Sequence, residues 1–444
     1  MALMAGVSGV RGLVGETLTP RVALEFAQAF GTMLNGGRVI LGRDSRPSGA
    51  MYAAAATAGL AAAGCEVTDV GIAMTPTIGH AIREGGYAGG VVITASHNPS
   101  QWNGMKTLDE DGLAPDIERA QRLANIRASG ELRNIKEGFR PTIYDTQAGE
   151  RHCDAVMKAI EVDVAPLRGM KVVLDSVNGA GCQDSPHFLS ELGCQVIHMN
   201  GEPTGDFAHP PEPLAENLYD LCEMVRKTGA ACGFAQDPDA DRLAIVDERG
   251  HFIGEEYSLA LCTKFVLMHR PGPVAANLST SRRIDDLARA YKQPVIRTPV
   301  GEAHVARAMR TAKAVIGGEG NGGVIDPRIS WVRDSVATMS LVLQLLAQTR
   351  KPLSALVAEI PNYVMIKRKA ECDGPRIQKA VAAVTSQFAA QKPNTSDGIR
   401  IDFPDGWVHL RASNTEPIFR IIAEAADEPT AERLIGDVRK VAGL

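Results

Sequence analysis

"RVILGRDSRPSG", residues 38–49, reads as a short buried strand, then a turn rich in Gly, Ser and Asp, then the start of a helix. The theme returns as "KVVLDSVNGAG" (171–181) and "PVAANLSTSRR" (273–283). Each copy closes its helix and enters another strand, at "LAAAGCEV" (60–67), "LSELGCQV" (189–196) and "LARAYKQPV" (287–295). This is βαβ repetition, and right-handed crossovers then give three helix-covered sheets in series. After residue 365 the pattern changes to alternating strands, "IRIDF", "WVHLRAS" and "FRIIAEA", closed by a helix from Pro429. The fold expected is α/β: three βαβ-type mixed-sheet domains in series plus a C-terminal α+β domain. The domains are read as 1–150, 151–255, 256–364 and 365–444, with linkers near 147–162, 254–258 and 361–369.

The chain has 444 residues, 45% of them hydrophobic and 22% charged, enough to bury several cores without a disordered bias. Its net charge is −5 and no basic run occurs, so neither nucleic acid nor an anionic membrane is the expected partner. Small molecules are. The first residues lack the charged and apolar regions of a signal peptide, and no apolar run has the length of a membrane span, so a cytoplasmic protein is expected. Eight cysteines, from Cys65 to Cys372, show no CxxC or metal spacing and read as buried reduced thiols.

"VVITASHNPSQWNGMKTL" (91–108) takes a strand to Ala95 and then into Ser96, His97, Asn98 and Pro99. Pro99 cannot continue a central strand, so Ser96 belongs on a turn at the strand's carboxyl end, where α/β sheets open onto ligands. An Asx-type turn that only satisfies backbone groups is the plain alternative.

"FAQDPDADRLAIVDERG" (234–250) puts Asp237, Asp239 and Asp241 at alternate positions. In a roughly extended stretch the three carboxylates share one side and repel, and a divalent ion resolves the conflict. Mg²⁺ suits hard oxygens that leave positions for phosphate. An EF-hand loop fails because Arg242 stands where the turn needs glycine. "RASNTEPIFR" (411–420) gathers Ser413, Asn414 and Thr415 between Arg411 and Arg420, the parts of a phosphate cradle. "GGEGNGG" (317–323) sets Glu319 and Asn321 among glycines that allow close approach of a ligand.

Together, "TASHNP", "DPDADR", "GGEGNGG" and "RASNTEP" resemble, in order and one per expected domain, the active-serine, metal, sugar and phosphate loops of the α-D-phosphohexomutases. "GVSGVRG" (6–12) resembles the family's amino-terminal segment with Arg11 in register, although Val7 replaces its usual threonine. The resemblance implies a phosphoserine at Ser96, with Mg²⁺ bound by Asp237, Asp239, Asp241 and the Ser96 phosphate. Arg11, Lys106 and Arg242 would neutralise charge, and His97 and Lys106 would orient phosphate or move a proton. A hexose 6-phosphate and hexose 1-phosphate would interconvert through a hexose 1,6-bisphosphate that turns round in the site. One cradle, Arg411 to Arg420, would hold whichever phosphate is not reacting.

Two departures bear on the sugar. Asn321 and Gly323 stand where the phosphomannomutase/phosphoglucomutase branch carries serine and histidine, and Glu302 follows Gly301 where that branch places histidine. Both point to the phosphoglucosamine mutase branch, with glucosamine 6-phosphate as substrate and Glu302 beside its 2-amino group. The plain alternative for Glu302 is a surface residue at a helix start. Phosphoglucomutase/phosphomannomutase activity is the alternative within the family. A serine hydrolase lacks a GxSxG elbow, and a non-catalytic sugar-phosphate sensor would not need every catalytic position filled. A monomer or homodimer is expected.

Overall fold

Each strand–turn–helix repeat folds as a parallel βαβ unit in the computed structural model, which describes residues 3–6, 9–371, 374–412 and 418–444. Strand Gly37–Arg43, helix Gly49–Ala62 and strand Cys65–Ile72 form the first, with Val39 opposite Val67. Lys171–Asp175, Asp184–Glu191 and Gln195–Met199 form the second, and Val274–Asn277, Arg283–Ala290 and Val295–Thr298 the third. The inner strands Gly37–Arg43, Lys171–Asp175 and Val274–Asn277 are buried over most of their length, as in a parallel sheet covered on both faces.

Every unit then adds a strand that turns back on itself. Gly89–Ile93 pairs antiparallel with Trp102–Leu108, Cys232–Gln236 with Leu243–Asp247, and Ile316–Glu319 with Gly323–Ile325. The three sheets are therefore mixed, with seven, four and four strands. A fourth sheet, ordered Val364–Glu371, Ile418–Ala425, Gly406–Ala412, Ile399–Phe403, is wholly antiparallel and carries helix Glu428–Ala442. The serine and Asp motifs lie in these hairpin connections, and the glycine motif spans the tight turn from Ile316–Glu319 to Gly323–Ile325.

The second and third units are not separate beads. Leu174, Phe234 and Ile245 of one sheet and Val274, Ile316 and Val324 of the other line a single apolar core. Helices Glu256–His269 and Ser335–Thr349 pack together within it, and the second is buried over most of its length. The fourth sheet has its own core around Ile399, Leu410, Phe419 and Leu434.

Local departures from the sequence reading have physical causes. Residues 148–158, expected in a linker, form helix Ala148–Lys158, whose Cys153 and Val156 enter the shared core. Helix Glu256–His269 begins inside the second expected linker. Val364–Glu371, expected in the third, is the edge strand of the last sheet. The strand before Ser96 stops at Ile93, because Thr94 Oγ1 accepts the Ser96 amide (2.8 Å) and starts the turn two residues early. The described cysteines are all free and all but Cys222 are buried; Cys372 lies outside the described residues. None of the described helices is long and apolar enough to cross a membrane.

Candidate functional site

Ser96 is buried and takes a left-handed backbone, φ +52°, uncommon for a residue with a side chain. The turn is held by two residues that the sequence reading does not assign to the site. Arg46, fully buried, donates to the carbonyls of Ser96 (2.7 Å), Asn98 (2.6 Å), Pro99 (2.7 Å) and Trp102 (2.9 Å). Its own Nε donates to Asp44 at 2.9 Å, and Asp44 also accepts from Thr94 Oγ1 at 2.6 Å. Both belong to the turn after strand Gly37–Arg43. The serine loop is thus clamped by the neighbouring parallel strand's end. Arg11, on strand Gly9–Leu13, donates to Asn98 Oδ1 at 3.0 Å.

The Asp trio sits between strands Cys232–Gln236 and Leu243–Asp247, in a turn rather than the extended stretch expected. Ala240, at φ +55°, turns the backbone, and the carboxylates converge by this reversal instead of by alternation. One oxygen from each lies within 4.8 Å of the others. Ser96 Oγ donates to Asp237 Oδ2 at 3.0 Å, while Thr75 Oγ1 donates to Asp239 Oδ2 at 2.6 Å. Lys106 donates to Asp239 (2.5 Å) and Asp241 (3.0 Å).

Burial and the charges of Asp241 and Asp239 hold the Asp237 carboxyl well above its usual range. Burial acts the same way on Asp241, but Arg333, Lys106 and Arg242 outweigh it and hold that carboxyl below its ordinary value. Burial works against the Lys106 ammonium too, yet Asp239 and Asp241 raise it overall, so it stays charged. Asp239 Oδ1 and Asp241 Oδ1 are buried and meet no donor. Orphaned hard oxygens beside a third carboxylate fit a divalent metal ion.

His97 Nδ1 lies 3.3 Å from Ser96 Oγ, and its Nε2 is 3.8 Å from Glu212. Burial, with Arg242 and Arg11 nearby, pushes the ring's pKa down to about 2. His97 is therefore neutral beside the serine. Arg242 stands 3.8 Å from both Glu212 and Asp241, and its amide donates to Asp237 Oδ1 at 3.1 Å.

The glycine loop follows strand Ile316–Glu319. A Cβ on Gly320 would collide with the Glu256 carboxylate, and Gly322 turns at φ +84°. Glu319 Oε1 accepts from Asn277 Nδ2 (2.8 Å) and the Gly301 amide (3.0 Å). Asn321 Oδ1 accepts the Gly323 amide at 3.2 Å. Glu302 begins helix Glu302–Ala312 but is not a surface residue: it lies mostly buried, 2.8 Å from Arg333 Nε. Arg333 Nη2 reaches Asp241 (2.6 Å) and Nη1 reaches Glu319 (2.8 Å), joining the Asp turn to the glycine loop.

Arg411 and Arg420 face each other across strands Gly406–Ala412 and Ile418–Ala425. Arg411 lies 3.2 Å from Asp397, and Arg420 is exposed. Like charges directly opposite are unfavourable unless an anion lies between them. Ser413, Asn414 and Thr415 lie outside the described residues.

Asp44, Arg46, Thr75 and Arg333 are the site residues the sequence reading missed. Asp44 and Arg46 were in view within "GRDSRPSG", but as turn residues. Nothing local marks Thr75 or Arg333, whose partners are 164 and 92 residues away.

The chain matches, in order, four families described as phosphoglucomutase/phosphomannomutase α/β/α domain I (2–134), domain II (150–250), domain III (255–363) and C-terminal domain (366–441). It is 39% identical to a probable phosphoglucosamine mutase of Methanopyrus kandleri, over 97% of this chain and 95% of that one. It is also 39% identical to a phosphoglucomutase/phosphomannomutase of Thermococcus kodakarensis, over 98% and 97%. A crystal structure of a phosphoglucomutase/phosphomannomutase family protein from Burkholderia thailandensis superimposes with a TM-score of 0.86 at 27% identity, covering 99% of this chain and 97% of the other. With four domain families matched in order over nearly the whole chain, the chain belongs to the phosphoglucomutase/phosphomannomutase family of phosphohexomutases.

Proposed function

We propose that the chain interconverts hexose 6-phosphate and hexose 1-phosphate through a phosphoserine at Ser96 and a hexose 1,6-bisphosphate, with glucosamine 6-phosphate preferred. The contact of Ser96 Oγ with Asp237 beside two orphaned aspartate oxygens carries the reading. Mg²⁺ held by Asp237, Asp239, Asp241 and a phosphoserine oxygen would supply charge neutralisation, the main need of phosphoryl transfer.

The chain's own residues divide the remaining work. In transfer, the bond from phosphorus to Ser96 Oγ breaks and a bond to the free sugar hydroxyl forms. The proton lost by the hydroxyl balances the one Ser96 Oγ regains. Lys106, held as an ammonium, is the acid of the site, and neutral His97 hydrogen-bonds the serine oxygen without adding charge. Arg46 and Asp44 keep the loop in place, while Arg11 and Arg242 balance phosphate charge. Glu319 and Asn321 bind sugar hydroxyls. Arg411 and Arg420, with Ser413, Asn414 and Thr415, grip the distal phosphate in either pose, which the bisphosphate's reorientation requires.

Relatives of equal identity are named for different hexoses, so the sugar is argued from this chain's residues. Glu302 and Glu319 share the single Arg333 guanidinium, and the negative charge left over favours a 2-ammonium over a neutral hydroxyl. Assays of hexose 1- and 6-phosphates with Mg²⁺ and glucose 1,6-bisphosphate test the reading. The highest kcat/KM is expected for glucosamine 6-phosphate. Better turnover of glucose or mannose 6-phosphate overturns the preference, and turnover of none overturns the reaction.

A further inference from the structure

One guanidinium serves three carboxylates from three segments. Arg333 Nη2 donates to Asp241 Oδ2 at 2.6 Å, Nη1 donates to Glu319 Oε2 at 2.8 Å, and Nε stands 2.8 Å from Glu302 Oε2. Its side chain is only 10% exposed, so water screens these pairs weakly. Glu319 Oε1 is already engaged by Asn277 and Gly301. Glu302 Oε1 accepts no hydrogen bond among the described residues, which leaves it free for a ligand. Each of the three guanidinium nitrogens thus stands next to a different carboxylate. The guanidinium sets one positive charge within 2.8 Å of all three carboxylates, although its Nε makes no hydrogen bond, so its charge carries the argument.

We infer that Arg333 is a specificity-determining residue: by neutralising the Glu302–Glu319 pair, it moderates the site's preference for a cationic 2-amino sugar and lets a neutral 2-hydroxyl be accepted there. The inference rests on the hexose phosphate reading above. An unpaired buried carboxylate discriminates strongly for a cation. A carboxylate with a guanidinium 2.8 Å away retains a lone pair for a hydroxyl donor but offers a second cation much less attraction. Arg333 and Glu302 should therefore act in opposite directions on substrate choice.

The test compares kcat/KM for glucosamine 6-phosphate and glucose 6-phosphate at constant pH and salt, with Mg²⁺ and glucose 1,6-bisphosphate present. Arg333→Met is expected to raise the amino-to-neutral ratio about fivefold or more, even as both rates fall, because the uncompensated carboxylates remain. Arg333→Lys, which keeps the charge, is expected to hold the ratio within about twofold of the unsubstituted protein. Glu302→Gln is expected to lower the ratio. A purely structural role for Arg333 would depress both substrates by the same factor, and that result overturns the inference. So does a ratio that Glu302→Gln leaves unmoved, which decides the matter if Arg333→Met does not fold. Failure of the unsubstituted protein to turn over either sugar overturns the hexose phosphate reading, and the inference with it.

Discussion

Ser96 and Asp237 are 141 residues apart in the chain and 3.0 Å apart in space, the serine hydroxyl donating to the aspartate. The hairpin ends of two different sheets make this contact, and each end is rigid because the strand behind it is buried. A phosphate on Ser96 would set a dianion against three carboxylates, an arrangement that a bound cation makes favourable.

The protein as purified is expected to carry phosphate on Ser96, detected by peptide mass spectrometry. Ser96→Ala is expected to lower kcat/KM by about a thousandfold or more, since the Thr94 hydroxyl of the same loop is tied to Asp44 and the Ser96 amide while Ser96 Oγ faces Asp237. Full mutase activity in Ser96→Ala would remove the phosphoserine from the mechanism.

Asp237 is buried with two like-charged neighbours. Without metal, Asp237→Asn relieves repulsion while keeping the volume, so its melting temperature in excess chelator is expected to exceed that of the unsubstituted protein. With Mg²⁺ present the order should reverse, because the variant has lost a ligand. Calorimetry in both conditions checks the crossover; a variant less stable than the parent in chelator would contradict it.

Arg46→Ala would leave Asp44, fully buried, without its counter-charge and four loop carbonyls without their donor. Breaking a buried pair in this way costs about 3–5 kcal/mol. Asp44→Ala with Arg46→Ala is expected to cost less than the sum of the two single changes, as residues in one network do. Denaturant unfolding of the three variants measures this. Additive losses would mean that the pair does not act as a unit.

Glu256 lies against Gly320 and accepts the Ser281 amide at 3.0 Å. Burial raises its carboxyl to about 8, with Glu424 and Glu255 adding to the effect and Lys367 and the Ser281 amide opposing it. Folding therefore favours the protonated form. The stability it contributes is complete below the unfolded carboxyl's pKa and is lost as pH rises through about 8. Glu256→Gln is expected to stabilise the protein by about 2–4 kcal/mol at pH near 9 and scarcely at all near pH 5. An equal effect at both pH values would show that the carboxyl titrates normally.

Much of the fold was legible because its signals are local. Buried strands followed by Gly/Asp/Ser turns mark the βαβ units, and Pro99 marks the end of the serine strand. Residues 148–158 and 364–369 read as linkers from sequence because their partners lie far off in the chain. A helix docking into a core shared by two units, and an edge strand paired with a strand over 50 residues later, leave weak traces in their own sequence. The Asp trio shows both sides: three carboxylates so close in sequence point to a cation, but the turn at Ala240 that brings them together is visible only in the fold.

The sequence by itself determined which chemical groups are present, their order on successive hairpins and the family to which they belong. Those follow from short-range patterning: strand burial, turn residues and charge spacing act over a few residues. Only the tertiary structure decided which charges meet. Arg46 beneath the serine loop, Thr75 on Asp239 and Arg333 on Asp241 are contacts across 50, 164 and 92 residues. Pairing at that range depends on how sheets and shared cores pack, because a buried charge takes whichever partner the packing brings within a few ångströms.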